Sequence, residues 1–355
     1  MFVLKKSKMK VREQLVLTLS RISRMYGDTV ALDGVDFVVP ENTYMSLLGA
    51  SGAGKTTLLR LIAGFEEPNK GEISINGKRI DGLPPHRRDI GFVFQNFALF
   101  PHLTVAENVA FGLRHRMTSP LNNEAEIKDR TQDALGLVGL DGFGHRGVGA
   151  ISGGQRQRVA LARTLVCEPR IVLLDEPLGA LDANLRARMC DELRAIQERL
   201  RVSFLHVTGS ETEALTMGDK VAVLSNGRIT QADEPYALFN MPQTAEAARH
   251  LNAWNIFDGA LCQGHLVSGE VAVRFDQINV SPSGAAPHNQ PHLSAQYLAG
   301  EFNGPTALSF FRAQDGTLLQ AVDHLSQPRL PDMVEGQHYD LHFSPKAFRQ
   351  FHGAL

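Results

Sequence analysis

The chain has 355 residues, enough for about two domains with a sizeable core. Its 36 basic and 38 acidic residues nearly cancel, which argues against a broadly basic face for nucleic acid, and no nucleic-acid partner is expected. Three widely spaced cysteines suit a reducing compartment and make no metal pattern, and no apolar run approaches the ~20 residues that span a bilayer, so a membrane role needs a partner.

Residues 1–14 are basic but lack the apolar stretch of a secretory signal, and read as a loose tail in which Met9 is an alternative start. From Leu15 to Val39 the chain reads as paired strands around a Tyr26-Gly27-Asp28 turn. Tyr44-Met45-Ser46-Leu47-Leu48 is a short apolar run suited to a buried strand. It leads into Gly49-Ala50-Ser51-Gly52-Ala53-Gly54-Lys55-Thr56-Thr57, which fills the pattern G-x-x-x-x-G-K-[ST] at every fixed position. Glycines let such a loop curl until successive N–H groups converge on phosphate. Lys55 adds a cation for the outer phosphates, and the Thr56 hydroxyl can reach Mg²⁺. The helix-forming run that follows would aim its N-terminal dipole at the same point. A plain Gly-rich turn leaves Lys55-Thr56 unexplained.

Glu72–Ile80 reads as a hairpin about Asn76-Gly77. Residues 102–140 look mostly helical, with a break near Thr118-Ser119-Pro120. Ile151-Ser152-Gly153-Gly154-Gln155 opens a helix that runs to about Val166. Ser152 is a good N-cap and the glycines expose backbone N–H groups, so this start is a second anion site. Because the P-loop already cradles phosphate from its own side, a nucleotide between two copies of the chain is suggested. Ile171–Leu174 is a continuous apolar run, as in a parallel strand buried on both faces, and it ends in Asp175-Glu176-Pro177. A carboxylate at Asp175 can hold Mg²⁺ through its waters, and Glu176 can orient the attacking water. The alternative is an acidic pair that merely faces solvent.

Ala183–Arg201 reads as a helix with Leu185, Met189, Leu193, Ile196 and Leu200 on one stripe. Val202–Thr208 and Lys220–Leu224 are further strands. Alternating strands and helices predict an α/β nucleotide domain over 15–242. Beyond it short β-like runs dominate, with Ser281–Pro291 as loop, so 243–355 is expected to be a small all-β domain.

These motifs resemble, in family order, those of the ATP-binding subunit of an ABC transporter: the P-loop, Phe94-Gln95, Ile151–Gln155, Leu174-Asp175-Glu176-Pro177 and Gly179-Ala180-Leu181-Asp182. The C-terminal part is similar, more weakly, to the OB-like regulatory (TOBE) domain of bacterial importer ATPases, on Asn303-Gly304-Pro305-Thr306 and His342-Phe343-Ser344-Pro345. The resemblance implies a P-loop NTPase fold with a RecA-like core, an antiparallel β subdomain and a helical subdomain, followed by the OB-like domain. It implies a homodimer that hydrolyses ATP with Mg²⁺ and powers an importer for a solute such as iron, a polyamine, an oxyanion or a sugar. The chain would sit peripherally on the cytoplasmic face of the inner membrane, bound to permease subunits and, through them, to a solute-binding protein. By position, Tyr26 would stack on adenine, and Gln95 would sit near Mg²⁺ and the water. Asp182 would contact the partner copy, or cap its own helix, or both. Residues 94–109 would form, together with core packing, the groove for a permease helix.

One departure stands out. The family usually carries a phosphate-contacting histidine after the last core strand, in Val-Thr-His-Asp. Here Val207-Thr208 is followed by Gly209-Ser210, and His206 lies three residues upstream of Gly209 on the strand, about 10 Å away at 3.3 Å per residue. His206 reads as a core histidine rather than a substitute. Glu176 remains, so hydrolysis is expected to persist, more slowly. A low-turnover nucleotide-gated clamp and a non-transport ABC ATPase acting on nucleic acid are the rival readings. The latter would need basic, aromatic-faced strands in 243–355, which are not strongly basic.

Overall fold

The computed structural model describes residues 14–115, 120–179, 181–263, 269–324 and 333–351. The expected tail lies outside these apart from Gln14, as do Thr118, Ser119 and Ala180 of the segments named above. The chain forms two compact units, divided between Pro235 and Tyr236.

In the first unit, β1 (Leu15–Tyr26), β2 (Thr29–Pro40), β3 (Tyr44–Leu48), α1 (Lys55–Ala63), β4 (Lys70–Ile75), β5 (Lys78–Arg79) and β6 (Ile90–Val93) come first. The helices α2 (Val105–His115), α3 (Glu124–Leu137) and α4 (Gly153–Leu165) follow. Then come β7 (Ile171–Asp175), α5 (Ala183–Leu200), β8 (Ser203–Thr208), α6 (Glu211–Met217), β9 (Lys220–Ser225) and β10 (Arg228–Asp233). An antiparallel sheet has the order β2-β1-β4-β5, and a larger sheet the order β10-β9-β3-β8-β7-β6. Within the larger sheet β9, β3, β8, β7 and β6 run parallel, and β10 returns antiparallel on β9.

Alternation along the parallel strands splits the core. Ile171, Leu173, Leu205 and Val207 pack with α1 and the antiparallel sheet, whereas Val172, Leu174 and Phe204 pack with helices α2 to α5. Both faces are covered, which is why these strands read as unbroken apolar runs. Full burial of a residue such as Leu47 contributes about 2 kcal/mol to holding the layers together. On α5 the expected stripe holds at Met189, Leu193 and Ile196, but Leu200 is exposed, because Arg201 turns left-handed and ends the helix there.

All of α7 (Pro235–Asn240) but its first residue lies in the second unit, and α8 (Ala245–Arg249) follows. Two antiparallel sheets follow: β11 (Trp254–Asp258), β12 (Glu270–Arg274) and β18 (Phe348–Phe351) in one; β13 (Asn279–Pro282), β17 (His338–His342), β14 (His292–Asn303), β15 (Thr306–Ala313) and β16 (Leu318–His324) in the other. Alternating inward residues, among them Val271, Val273, Leu293, Phe311 and Leu341, build its core with Phe257 and Phe343. The units part ahead of the change in composition because α7 is held from the β side: the Trp254 indole donates to the Phe239 carbonyl at 3.1 Å, and the Arg274 guanidinium donates to Asn240.

Candidate functional site

Parallel register brings three strand ends together. Leu48 pairs with Thr208 across β3 and β8, and Asp175 pairs with Val207 across β7 and β8. The loops leaving these C-terminal ends converge at the edge where open α/β sheets take their ligands.

The first loop is the P-loop. A Cβ on Gly49 would meet the Leu224 carbonyl at 2.5 Å, and one on Gly54 the Ala31 carbonyl at 2.6 Å. Gly54 also has φ 103°, so only glycine fits as the residue before α1. No side chain caps the start of α1, which leaves its N-terminal N–H groups turned towards the loop. Lys55 is nearly buried. Its ammonium donates to the carbonyls of Gly49 and Ala50 at 2.8 and 3.0 Å and stands 3.6 Å from the Glu176 carboxylate. Gly49, Ala50, Ser51, Gly52, Ala53 and Gly54 thus form an irregular turn that runs into α1 at Lys55, Thr56 and Thr57.

The second loop carries the carboxylates. The Thr56 hydroxyl donates to Asp175 at 3.3 Å, and burial raises the Asp175 carboxyl above its usual range, against the lowering effect of that hydrogen bond. A cation beside it would favour the charged form. Glu176 has φ 44°, a left-handed conformation that a non-glycine residue adopts at a cost of roughly 1–3 kcal/mol. Its N–H donates to the Val207 carbonyl at 3.1 Å, and its carboxylate accepts from the Gln95 amide at 3.4 Å. The strand-end pair therefore points inward to Lys55, Thr56 and Gln95. The motifs place these residues around one nucleotide; the specific contacts between the segments come from the fold.

The third loop holds Gly209. The nearest atom to a Cβ placed there is the Gly49 carbonyl oxygen, at 3.9 Å. His206 is fully buried on the face shared with Tyr44 and Phe204. Its Nδ1 faces the Tyr44 hydroxyl at 3.1 Å, and burial pushes its pKa down to about 3, so it is neutral near pH 7.

Tyr26, Ser152–Gln155 and Asp182, the remaining predicted site residues, make their hydrogen bonds outside this cluster. Tyr26 is exposed. Its hydroxyl donates to Glu66, and the Arg24 guanidinium lies 4.7 Å from its ring centre. Ser152 caps α4 reciprocally with Gln155: the Gln155 N–H donates to the Ser152 hydroxyl at 3.3 Å, and the Ser152 N–H to the Gln155 side chain at 2.9 Å. Gly153 and Gly154 follow in its first turn. Among the described residues no hydrogen bond or ion pair joins Ser152–Gln155 to the P-loop. Asp182 caps α5 through the Leu185 N–H at 2.9 Å.

Sequence reasoning missed Arg88, Arg186 and Glu213. Arg88 is buried and donates to the carbonyls of Leu61 and Ile62 at 2.8 and 3.0 Å, closing the end of the P-loop helix. Nothing in its neighbourhood of the sequence announces that role.

Comparisons with known proteins agree on one family. A family model described as ABC transporter matches residues 32–179. The uncharacterized ABC transporter ATP-binding protein YdcT of Escherichia coli is 46% identical over 78% of this chain and 81% of its own. The spermidine/putrescine import ATP-binding protein PotA of Rubrobacter xylanophilus is 46% identical over 73% of this chain and 67% of its own. The sulfate/thiosulfate import ATP-binding protein CysA of Mycobacterium bovis is 46% identical over 70% of each chain. Among solved structures, a dimeric ATP-binding cassette bound to ADP and Pi shares 30% identity at a TM-score of 0.55, covering 62% of this chain and 98% of its own. The fold is that of an ABC ATPase with an added C-terminal β region, and the chain belongs to the ATP-binding subunits of the ABC transporters.

Proposed function

We infer that this chain is the ATP-hydrolysing subunit of an importer. It binds ATP and couples hydrolysis to transport; relatives named as import ATP-binding proteins support the reading. The observation that carries the reading is the convergence of Lys55, Thr56, Gln95, Asp175 and Glu176 at one edge of the parallel sheet. Curled backbone N–H groups at 49–57 would wrap the β- and γ-phosphates, with Lys55 released from its loop carbonyls onto phosphate oxygen. Thr56, Asp175 and Gln95 offer hard oxygen donors, which suit Mg²⁺; when bound, the ion would neutralise phosphate charge. Glu176, already held by Gln95, would align the water for in-line attack on the γ-phosphorus. The bond to ADP breaks as the new P–O bond forms, and positioning and charge do most of the work.

Tyr26, its ring oriented through Glu66, would stack on adenine. The α4 start at Ser152–Gln155 is free of the P-loop, so it would read the nucleotide held by a second copy, with Asp182 near that contact. Permease subunits are the expected partners, with a solute-binding protein on their far side. Among the described residues no helix is long and apolar enough to cross a membrane, and the reading places the chain at the cytoplasmic face through its permease. The unit from Tyr236 onward is read as an OB-like regulatory domain. The solute would be selected by the permease and binding protein.

Gly209 favours one second reading, a clamp that binds nucleotide and turns over little. Sedimentation of Glu176→Gln with Mg-ATP tests the main reading. A dimer is expected, because the site keeps its nucleotide while the aligning carboxylate is gone. A monomer over a wide concentration range would refute the sandwich.

A further inference from the structure

A buried carboxylate lies behind the catalytic edge, outside the roles assigned above. Glu213, on α6, is 5% exposed. One of its oxygens accepts from the Thr208 hydroxyl at 2.7 Å. That hydroxyl in turn accepts from the Ser210 N–H at 2.9 Å, and the Ser210 hydroxyl accepts from the Glu213 N–H at 3.3 Å. Residues 208–210 are thus closed into a ring by the Glu213 carboxylate on one side and its backbone N–H, capped by Ser210, on the other. The other Glu213 oxygen faces the Arg186 guanidinium of α5 at 3.5 Å, and Arg186 also donates to the Leu181 carbonyl at 2.9 Å. Leu181 immediately precedes Asp182, the cap of α5.

This arrangement is expensive to keep without a purpose. A carboxylate buried against one half-exposed guanidinium recovers its desolvation only through good hydrogen bonds. Burial raises the Glu213 carboxyl above its usual range, with Glu176 close enough to add to that shift and Arg186 opposing it. His206 completes the surroundings: its Nε2 lies 3.6 Å from Glu213 and has no hydrogen-bond partner.

We propose that Glu213 is a positioning residue for ATP hydrolysis, bracing the Thr208–Ser210 loop against the P-loop and tying it, through Arg186, to the Leu181–Asp182 segment. The proposal rests on the reading of this chain as an ATP hydrolase. With glycine at 209 no side chain there can hold the loop in place, so its placement falls to the ring around Glu213. A polypeptide loop left to fluctuate by even an ångström forfeits much of a preorganised site's effect on rate.

Two substitutions separate the arms. Thr208→Val removes the hydroxyl that Glu213 holds and keeps the Arg186 contact. Glu213→Gln keeps an acceptor for Thr208 but faces Arg186 with a neutral group. The measurements are steady-state ATPase of the full-length chain with Mg-ATP and thermal unfolding of each variant. A loss of about tenfold in kcat is expected for each variant, matching one hydrogen bond to a charged group at about 1.4 kcal/mol per decade. KM should stay within about threefold, since the P-loop is untouched. A kcat within about twofold of the parent in either variant, or a rise in KM alone, overturns the proposal. A lower melting temperature with unchanged kcat per folded molecule does so too, because it would make the brace merely structural. Lys55→Ala, assayed alongside, distinguishes this failure from failure of the underlying reading: if that variant hydrolysed ATP normally, the site itself would be wrong.

Discussion

Replacing Gly209 by histidine tests whether glycine at this position limits the rate. The backbone at 209 is outside the left-handed region, and a Cβ there has its nearest neighbour, the Gly49 carbonyl oxygen, at an ordinary 3.9 Å. A Cβ can therefore be added without strain, and it leaves the backbone next to the loop that would hold the phosphates. Losing one preorganised donor to a transition state costs about 2.7–4 kcal/mol. Some of that return is forfeited in ordering an exposed imidazole, roughly 0.5–1.5 kcal/mol. What remains corresponds to a kcat increase of at least about tenfold. The assay is steady-state ATP turnover of Gly209→His beside the parent, with melting temperatures to normalise for folding. A folded variant whose kcat is unchanged or lower would refute the reasoning, and would mean that another group already supplies this contact. His206 is not that group in this structure, since it is neutral, fully buried and engaged with Tyr44. In His206→Ala, accordingly, melting temperature should fall while kcat per folded molecule holds.

Lys55→Ala should weaken ATP binding by about ten- to a hundredfold in Kd, the range for a charge-assisted contact of 1.5–3 kcal/mol, as read by calorimetric titration; unchanged affinity would remove Lys55 from the site. His206 also makes stability depend on pH. Its pKa is about 3 when folded against about 6.5 when unfolded, so the unfolded state binds the extra proton between those values. The stability it contributes is complete above pH 6.5 and is lost as pH falls towards 3. Urea unfolding at pH 7 and pH 5 should show about 2 kcal/mol more loss in the parent than in His206→Gln; equal losses would contradict a neutral buried imidazole. Truncation after Pro235 should leave a chain that unfolds cooperatively and binds ATP. Truncation after residue 242 should leave α7 protease-sensitive, because Trp254 and Arg274 hold it; protection of α7 there would place the boundary later.

The sequence by itself determined the elements whose chemistry is local. Gly49–Thr57 needs a curled backbone, a cation and a hydroxyl at fixed spacing, and no distant residue is required to recognise that. Ser152 with Gln155 makes a reciprocal cap within one turn. Ile171–Leu174 reads as a doubly buried strand because both faces are apolar, and the Asp175-Glu176 pair marks its end. Tertiary structure alone decided what those pieces face. Parallel register sets Asp175 beside Thr56 and Glu176 beside Gln95, across separations of 119 and 81 residues, which no local pattern encodes. For His206, read from the strand as a core histidine, it supplied the partners, Tyr44 and Phe204 on that face. It also put α7 with the β unit, through two side chains that compositional change cannot reveal. Arg88, Arg186 and Glu213 were invisible for the same reason. A charged side chain in an amphipathic run reads as solvated surface until the fold shows that its partners are the backbone carbonyls and hydroxyls of other elements.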